Sequence, residues 1–228
     1  MSSAPPIVFI PDACDTFGKL VSLVHRSTAK SLNQVHLMVD VGISAARFGF
    51  SLIDYVKLVD KAVSSASWES VRIVVPDAFG NHKLTVERWR KYAPALRRYG
   101  ELMFVAQQLQ PPPEGLDPRP DIVAVPARRL GDIDCSRAHM RCAQHIARFI
   151  EDYHAMYRIH LLGPAARALR HLRRWGTLKY VESFDTATYR RAPTARLKRE
   201  NGGKWQATDT DTACVWFKAW MSLVFNKY

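Results

Sequence analysis

Carboxylate and carboxamide side chains follow several short apolar runs of this chain, each at the point where the run ends. They are Asp12, Asp40, Asp77, Gln107 with Gln108, and Asp185. In a parallel α/β barrel the carboxyl ends of the strands open onto a common mouth, where catalytic groups sit. We therefore expect several acids and amides to converge on one pocket. The alternative for each acid is a helix N-cap, because Asp between a strand and a helix is a favoured cap.

Carboxylates and amides around a small pocket suit the recognition of a purine. Their oxygens accept hydrogen bonds from the N–H donors of a purine Watson–Crick edge. A further carboxylate beside the sugar could attack C1′ and form a covalent glycosyl intermediate. Such an Asp must be ionised, and Arg190 and Arg191, close to Asp185 in the chain, favour that form. The pattern therefore indicates chemistry at a nucleobase and its sugar.

The elements that would position these groups alternate along the chain. Nearly continuous apolar runs of four to seven residues predict parallel strands at Ile7–Ile10, Val35–Val41, Val71–Val75, Leu102–Ala106, Ile122–Val125, Ile159–Leu162 and Tyr180–Phe184. Amphipathic stretches predict helices at Leu52–Ala66, Thr85–Tyr99, Ser136–Tyr157 and Ala165–Trp175.

This alternation predicts an α/β fold, a compact or incomplete TIM (β/α)8 barrel whose eighth strand would come from the C-terminal region. An open doubly wound sheet is the alternative, although no Gly-rich phosphate loop follows the first run. The segment Gln110–Pro120 contains five prolines and cannot be a helix or a central strand. Because the strand and helix pattern continues past it, we interpret it as a stiff loop within one domain, residues 1–228.

The charge of the 228-residue chain favours a polyanionic partner. Its formal net charge is +12 and its pI is near 9.8. Residues 158–204 carry 12 basic and 3 acidic residues, a net +9, which favours nucleic acid or an anionic membrane surface. No run of about 18 apolar residues predicts a membrane span, and the N-terminus does not resemble a signal peptide.

Two parts of the basic segment are dense in cations. The first, Arg167–Arg174, has a solvated helix face as an equally good interpretation. The second is loop-like and interleaves Tyr189 and Trp205 with its cations, which suits phosphate binding and base stacking. We expect its cations to contact a nucleic-acid backbone, namely Arg190, Arg191, Arg196, Lys198 and Arg199.

The four cysteines, at positions 14, 135, 142 and 214, form no Cys-x-x-Cys pair. Reduced thiols in a cytoplasmic protein are the simplest account. Cys135, His139, Cys142 and His145 could be a zinc site, but their spacing suits one helix face, and a single helix rarely supplies four tetrahedral ligands. We therefore favour helix packing and expect no metal and no cofactor.

At these motifs the sequence resembles the tRNA-guanine transglycosylase superfamily, over roughly Gln34 to Gln206. Those enzymes are TIM barrels that exchange a guanine in a polynucleotide for a 7-deazaguanine, and some relatives act on DNA. The resemblance rests on ordered motifs: Leu37-Met-Val-Asp40-Val-Gly42, Val74-Val-Pro-Asp77, Phe104-Val-Ala-Gln107-Gln108, Asp121-Ile-Val-Ala-Val-Pro-Ala127, Arg158-Ile-His-Leu-Leu-Gly163-Pro164, and Val181-Glu-Ser-Phe-Asp185 followed by Arg190-Arg-Ala and Arg199-Glu-Asn-Gly202.

The resemblance implies a role for each site residue. Asp185 would be the nucleophile and Asp40 a general acid/base. The base would be bound by Asp77, Gln107, Gln108, Ala127, Leu162 and Gly163. The partners would be DNA or tRNA and a 7-deazaguanine such as preQ0, with a homodimer or an accessory protein left open.

This chain also departs from the family. The family's small-residue turns become Val41-Gly42-Ile43 and Pro126-Ala127, and the zinc subdomain is missing, since Cys214 alone follows Asp185 among the cysteines. Two alternative functions remain at this point. One is an N-glycosidase that releases a base to water, and the other is a noncatalytic nucleic-acid-binding subunit with the same fold.

Overall fold

The computed structural model describes residues 7–10, 18–22, 36–40, 51–64, 67–130, 133–135, 137–185, 195–200, 202–204, 215 and 219. They form an α/β fold around a curled parallel sheet. Six strands make up most of the sheet: β3 (His36–Asp40), β4 (Ser70–Val74), β5 (Glu101–Val105), β6 (Ile122–Pro126), β9 (Arg158–Leu162) and β10 (Val181–Asp185).

Two shorter strands join the edges of this curled sheet. β1 (Ile7–Ile10) pairs in parallel with β10, and β2 (Gly18–Ser22) pairs in parallel with β3. β1 and β2 also pair with each other, so the strand pairings close into a barrel. Neighbouring strands around the barrel follow one another in the chain, apart from a small antiparallel pair, β7 (Arg129–Leu130) with β8 (Ile133–Asp134). This order is not that of a doubly wound sheet, which reverses at a switch point.

Helices cover the outside of the sheet. Their bounds are Leu52–Val63 for α1, His82–Leu96 for α2, His139–Tyr153 for α3, Ala166–Arg174 for α4 and Ala195–Glu200 for α5. Short 3-10 turns occupy Arg97–Tyr99, Gln107–Leu109 and Thr177–Tyr180. The first two helices begin at side-chain caps, because Ser51 accepts the Asp54 amide at 3.0 Å and Asn81 accepts the Leu84 amide at 3.0 Å.

Strand side chains alternate between the helix layer and the barrel interior. On the outside, α1 and α2 pack against β3 to β5 around Tyr55, Trp89 and Phe104. α3 and α4 pack against β6, β9 and β10 around Ile146, Leu169 and other apolar side chains. The interior holds a smaller apolar cluster of Met38, Val74, Met103, Val105, Ile122 and Ala124. The polar interior positions described below adjoin this cluster.

The proline-rich segment predicted as a stiff loop connects two neighbouring strands, β5 and β6, in place of a helix. Leu116 of this loop is buried against the outer cluster, and the Trp89 indole N–H donates to the Pro118 carbonyl at 2.8 Å. The loop therefore covers one side of the barrel as a helix does elsewhere.

The predicted elements differ from the structure mainly at their ends, by up to four residues at a helix end. The eighth parallel strand is Gly18–Ser22 near the N-terminus rather than a C-terminal segment. Its five residues include Gly18, Lys19 and Ser22, so no apolar run signals it. Ala195–Glu200, predicted as loop, is a short helix because its residues are good helix formers.

The expectation of reduced thiols is wrong for one pair of cysteines. Cys135 and Cys142 form a disulfide, with their Cα atoms 5.5 Å apart and both residues buried. Within the described residues, no group of His, Cys, Asp or Glu is arranged to hold a metal ion. His139 instead stacks on His171 of α4, in keeping with helix packing. No helix among the described residues is long and apolar enough to cross a membrane.

Gly100 allows the chain to enter β5 beside β4. A Cβ added there would lie 2.4 Å from the Val71 carbonyl oxygen, a backbone atom that cannot move aside without shifting the strand. We predict that Gly100→Ala lowers the free energy of unfolding by about 2 kcal/mol or more, measured by urea denaturation. Gly115→Ala is the control, because nothing lies within 4 Å of its Cβ and only its positive φ is costly. A smaller loss at Gly100 than at Gly115 would contradict the packing.

Candidate active site

The sequence-predicted site residues lie at one end of the barrel. Asp40 ends β3, Asp185 ends β10, and Leu162 ends β9 with Gly163 next. Asp77, Gln107 and Ala127 follow β4, β5 and β6. Because the strands are parallel and ordered around a barrel, these residues surround a common mouth.

Asp77 and Gln107 form a hydrogen-bonded pair at this mouth. The Gln107 Nε2 amide donates to Asp77 Oδ2, and the Gln107 Oε1 atom accepts the Gly80 amide at 2.9 Å. Gln107 is 4% exposed, so both ends of its amide are held in place. Burial raises the pKa of Asp77, and the Gln107 hydrogen bond opposes that rise.

Helix capping does not explain Asp77. The helix that follows it, α2, is capped by Asn81, and the Asp77 backbone carbonyl accepts a hydrogen bond from Arg88 of that helix. The helix that follows Asp40 is capped by Ser51. Asp77 and Asp40 are therefore placed by their strands and not by the capping of α2 or α1.

Tyr55 of α1 connects the ends of β3 and β4. Its hydroxyl lies 2.7 Å from the Val74 carbonyl oxygen and 3.2 Å from the Val39 carbonyl oxygen. Burial raises the pKa of Tyr55, and the negative charges of Asp40 and Asp77 raise it further. Both carboxylates thus lie within electrostatic reach of the same phenol.

The Asp185 carboxylate is fixed through one of its two oxygens. Its Oδ1 atom accepts the Gly163 amide at 2.8 Å and lies 3.3 Å from His160 Nε2. Gly163 has a φ of +59°, a conformation that favours glycine and directs this amide at the carboxylate. Among the described residues, both polar contacts of the carboxylate involve Oδ1, which leaves Oδ2 for an incoming group.

A chain of hydrogen bonds connects Asp185 to the barrel interior. Burial lowers the pKa of His160, so its ring is neutral at pH 7 and carries one N–H. The acceptor-only Asp185 carboxylate takes that N–H from Nε2, which makes Nδ1 an acceptor. Ser183 Oγ, 2.8 Å from Nδ1, therefore donates to the ring and accepts from Arg72 Nη1 at 2.6 Å.

Arg72 ends this chain in an ionic cluster at the opposite end of the barrel. The cluster contains two arginines and two glutamates, Arg72, Arg158, Glu101 and Glu182. Arg72 is 2% exposed and contacts both glutamates, while Arg158 contacts the same two from the rim. Burial opposes ionisation of Glu182, but the two guanidinium groups outweigh it and lower its pKa.

Three predicted base-binding groups have other roles or positions. Gln108 is exposed, with a left-handed backbone, and accepts a hydrogen bond from Gln110. Ala127 is buried, and its amide donates to the Leu162 carbonyl at 2.9 Å. The Gly163 amide is already used by Asp185. Gln107 is therefore the glutamine that the structure pairs with Asp77.

The predicted backbone-binding cations are only partly described. Arg190 and Arg191 lie outside the described residues. Arg196, Lys198 and Arg199 belong to α5, where Lys198 is partly buried and Arg199 is exposed.

Sequence reasoning missed the interior residues His160, Ser183 and Arg72. The available signal was polar residues two apart within apolar strands, as in Arg158-Ile-His160 and Ser183-Phe-Asp185. Such spacing places each polar pair on one face of a strand, here the barrel interior. The runs were instead interpreted as continuously apolar strands.

Comparison with known proteins leaves the assignment to this geometry, since no family model, curated protein or solved structure matches the chain.

His160 makes the stability of the fold depend on pH. Because burial lowers its pKa in the folded state, the unfolded chain binds a proton more readily below its ordinary value near 6.5. Stability is therefore lost as the pH falls through and below 6.5. We predict that His160→Gln flattens this loss between pH 6.5 and 4.5 relative to wild type, measured by urea denaturation. Removal of the exposed histidine in His145→Gln should leave the slope unchanged, and equal slopes for His160→Gln and wild type would contradict the prediction.

Asp77 should carry the opposite dependence. Its pKa is raised in the folded state, so wild-type stability declines as the pH rises above the ordinary aspartate value near 3.8. We predict that Asp77→Asn is at least as stable as wild type at pH 7, with an advantage that disappears near pH 3.5. Chemical denaturation at both pH values checks this. A variant less stable than wild type at pH 7 would show that the ionised carboxylate stabilises the fold.

Proposed function

We propose that this protein is a base-exchange transglycosylase that replaces guanine with a 7-deazaguanine in a nucleic acid. The observation that carries the proposal is the Asp185 carboxylate, anchored through one oxygen at the mouth of a parallel barrel that also holds Asp40 and the Asp77–Gln107 pair. A nucleophile, a base-reading pair and a second acid are the groups that this reaction needs.

The barrel supports the same proposal at the level of the fold. Its eight described parallel strands follow one another around the ring, and helices α1 to α4 connect four successive strand pairs. We assign it as a compact (β/α)8 barrel of the TIM type, in which the loop Gln110–Pro120 replaces one helix. In such barrels the reacting groups project from the strand ends that carry Asp40, Asp77 and Asp185.

In the first half-reaction Asp185 Oδ2 attacks C1′ of the target nucleotide as the bond from C1′ to guanine N9 breaks. The bonding electrons leave with guanine, and Asp40 supplies the proton that neutralises the departing base. The product is a glycosyl ester between Asp185 and the polynucleotide. Because Gly163 and His160 hold Oδ1, the carboxylate is oriented before the sugar arrives.

In the second half-reaction the incoming 7-deazaguanine attacks C1′ through the nitrogen equivalent to N9. Its proton passes to Asp40, and the ester bond breaks to restore the Asp185 carboxylate. Each half-reaction is a displacement at C1′, so the base is exchanged with no net change in the sugar. No metal or redox step takes part.

The Asp77–Gln107 pair accounts for the choice of base. A guanine edge offers two N–H donors, and Asp77 offers a carboxylate acceptor whose orientation is held by Gln107. The target base must leave its stack to reach this position, because the pair lies at the end of the barrel strands.

Asp185→Asn should reduce base exchange by at least about 10³-fold, because the amide is a poor nucleophile of similar shape. The assay measures incorporation of labelled guanine or preQ0 into tRNA and into DNA, together with trapping of the covalent adduct. Asp60→Asn makes the same chemical change on the exposed face of α1 and should leave exchange unchanged.

Three results would overturn the proposal. Full exchange by Asp185→Asn would exclude that residue as the nucleophile. Release of guanine without incorporation of the labelled base would assign the protein as an N-glycosidase. Binding of either polymer without turnover by wild type would assign it as a noncatalytic binding subunit.

A further inference from the structure

Three exposed arginines form a stripe on helix α4. Arg167, Arg170 and Arg174 are spaced three and four residues apart, so they lie on one face of the helix. The opposite face consists of Ala168, Leu169 and Leu172, which are buried against the barrel. The rise from Arg167 to Arg174 is about 10 Å, close to three successive phosphates at about 3.4 Å per nucleotide of one strand.

These arginines differ from those elsewhere in the fold. Arg72, Arg97 and Arg158 each pair with a carboxylate. Within the described residues, none of the three stripe arginines forms a salt bridge. An exposed helix face that is merely solvated commonly mixes both signs of charge, but α4 contains no acidic residue at all. The stripe is therefore positive along its whole length.

Aromatic rings lie beside the stripe in a continuous stack. His139 of α3 stacks on His171 of α4, with ring centroids 5.3 Å apart and planes 12° apart. His171 in turn stacks on Trp175, with centroids 5.5 Å apart, and Trp175 is 41% exposed. Burial lowers the pKa of His171, and His139, Arg174 and Arg170 lower it further. The charges acting on this stack are thus all positive.

The stripe starts close to the proposed catalytic residue. α4 begins at Ala166, three residues after Gly163, whose amide donates to Asp185. Helices that follow barrel strands begin at the mouth and run back along the outside. A strand lying along Arg174, Arg170 and Arg167 would therefore lead toward the mouth.

We propose that this stripe and Trp175 form a docking surface for a single-stranded segment of the polynucleotide next to the target base. The partner rests on the proposed function, and the surface itself rests on the charge and stacking described above. Phosphates would contact the arginines while an unpaired base stacks on the exposed part of Trp175. A lipid surface fits less well, because the apolar face of α4 is buried and only its cationic face is presented.

The test compares two triple variants of the full-length protein that remove the same charge. Arg167→Gln, Arg170→Gln and Arg174→Gln remove the stripe, whereas Lys83→Gln, Arg90→Gln and Lys91→Gln remove three exposed cations from α2, across the barrel. Binding of a fluorescent 15-nucleotide oligo-dT is measured by anisotropy between 50 and 200 mM salt. Each lost phosphate contact on a single strand reduces the slope of log K against log salt by about 0.7, so the stripe variant should lose about 2.

Two further variants separate the parts of the proposal. Trp175→Leu should weaken oligo-dT binding by about 10-fold with an unchanged salt slope, because stacking is lost and no phosphate contact is removed. Asp185→Asn should bind the oligonucleotide as wild type does. If base exchange is absent in wild type while the stripe variant still loses its slope, the proposed function fails and the docking surface stands.

Other outcomes would overturn the docking surface. Equal slopes for the two triple variants would show that the stripe makes no phosphate contacts. Wild-type binding to duplex DNA tighter than to oligo-dT would exclude the single-stranded partner. Binding to vesicles of anionic phospholipid that depends on the stripe, without stripe-dependent binding to oligo-dT, would assign the surface to a membrane instead.

Discussion

A guanidinium group buried inside the barrel is the constraint on which the rest of the interior depends. Removing an arginine from water costs several kcal/mol unless opposite charge and hydrogen bonds replace its hydration. Arg72 obtains both, from Glu182, Glu101 and Ser183. The strands that supply these partners, β5 and β10, must therefore hold their register relative to β4. The ionic cluster restricts how the barrel can close and fixes the first link of the chain that reaches Asp185.

The two ends of the barrel carry different charge. At the amino ends of the strands, two arginines and two glutamates balance one another. At the carboxyl ends the strand-end groups are carboxylates, Asp40, Asp77 and Asp185, and α4 places unpaired cations on the outer surface beside them. An acidic mouth alone would repel a polyanion. Cations outside the mouth let phosphates bind at the rim while the carboxylates face a neutral base and its sugar.

Much of this architecture could be predicted from apolar patterning. Runs such as Phe104-Val-Ala and Ile122-Val-Ala-Val specify strands that are buried on both faces, and the acids after them indicate the working end of the sheet. Patterning fails where stability comes from long-range polar pairing, since nothing near Arg72 in the chain announces Glu182 or Ser183. Gly18–Ser22 fails for a related reason, because a short polar segment becomes a strand only when β1 and β3 provide its hydrogen bonds. Cys135 and Cys142 were interpreted as reduced because their pairing depends on how the chain folds between β8 and α3.

The chain from Arg72 through Ser183 and His160 to Asp185 has a fixed polarity. A guanidinium cannot surrender its proton at ordinary pH, and it offers no lone pair that could receive one. Every hydrogen bond in the chain therefore points toward the carboxylate, and the order of donors and acceptors cannot be reversed. The chain works as a permanent dipole and not as a proton wire: it steadies negative charge on Asp185 but carries no proton across the barrel. Any proton gained or lost during turnover must then pass through the open mouth, on the same side as the substrate.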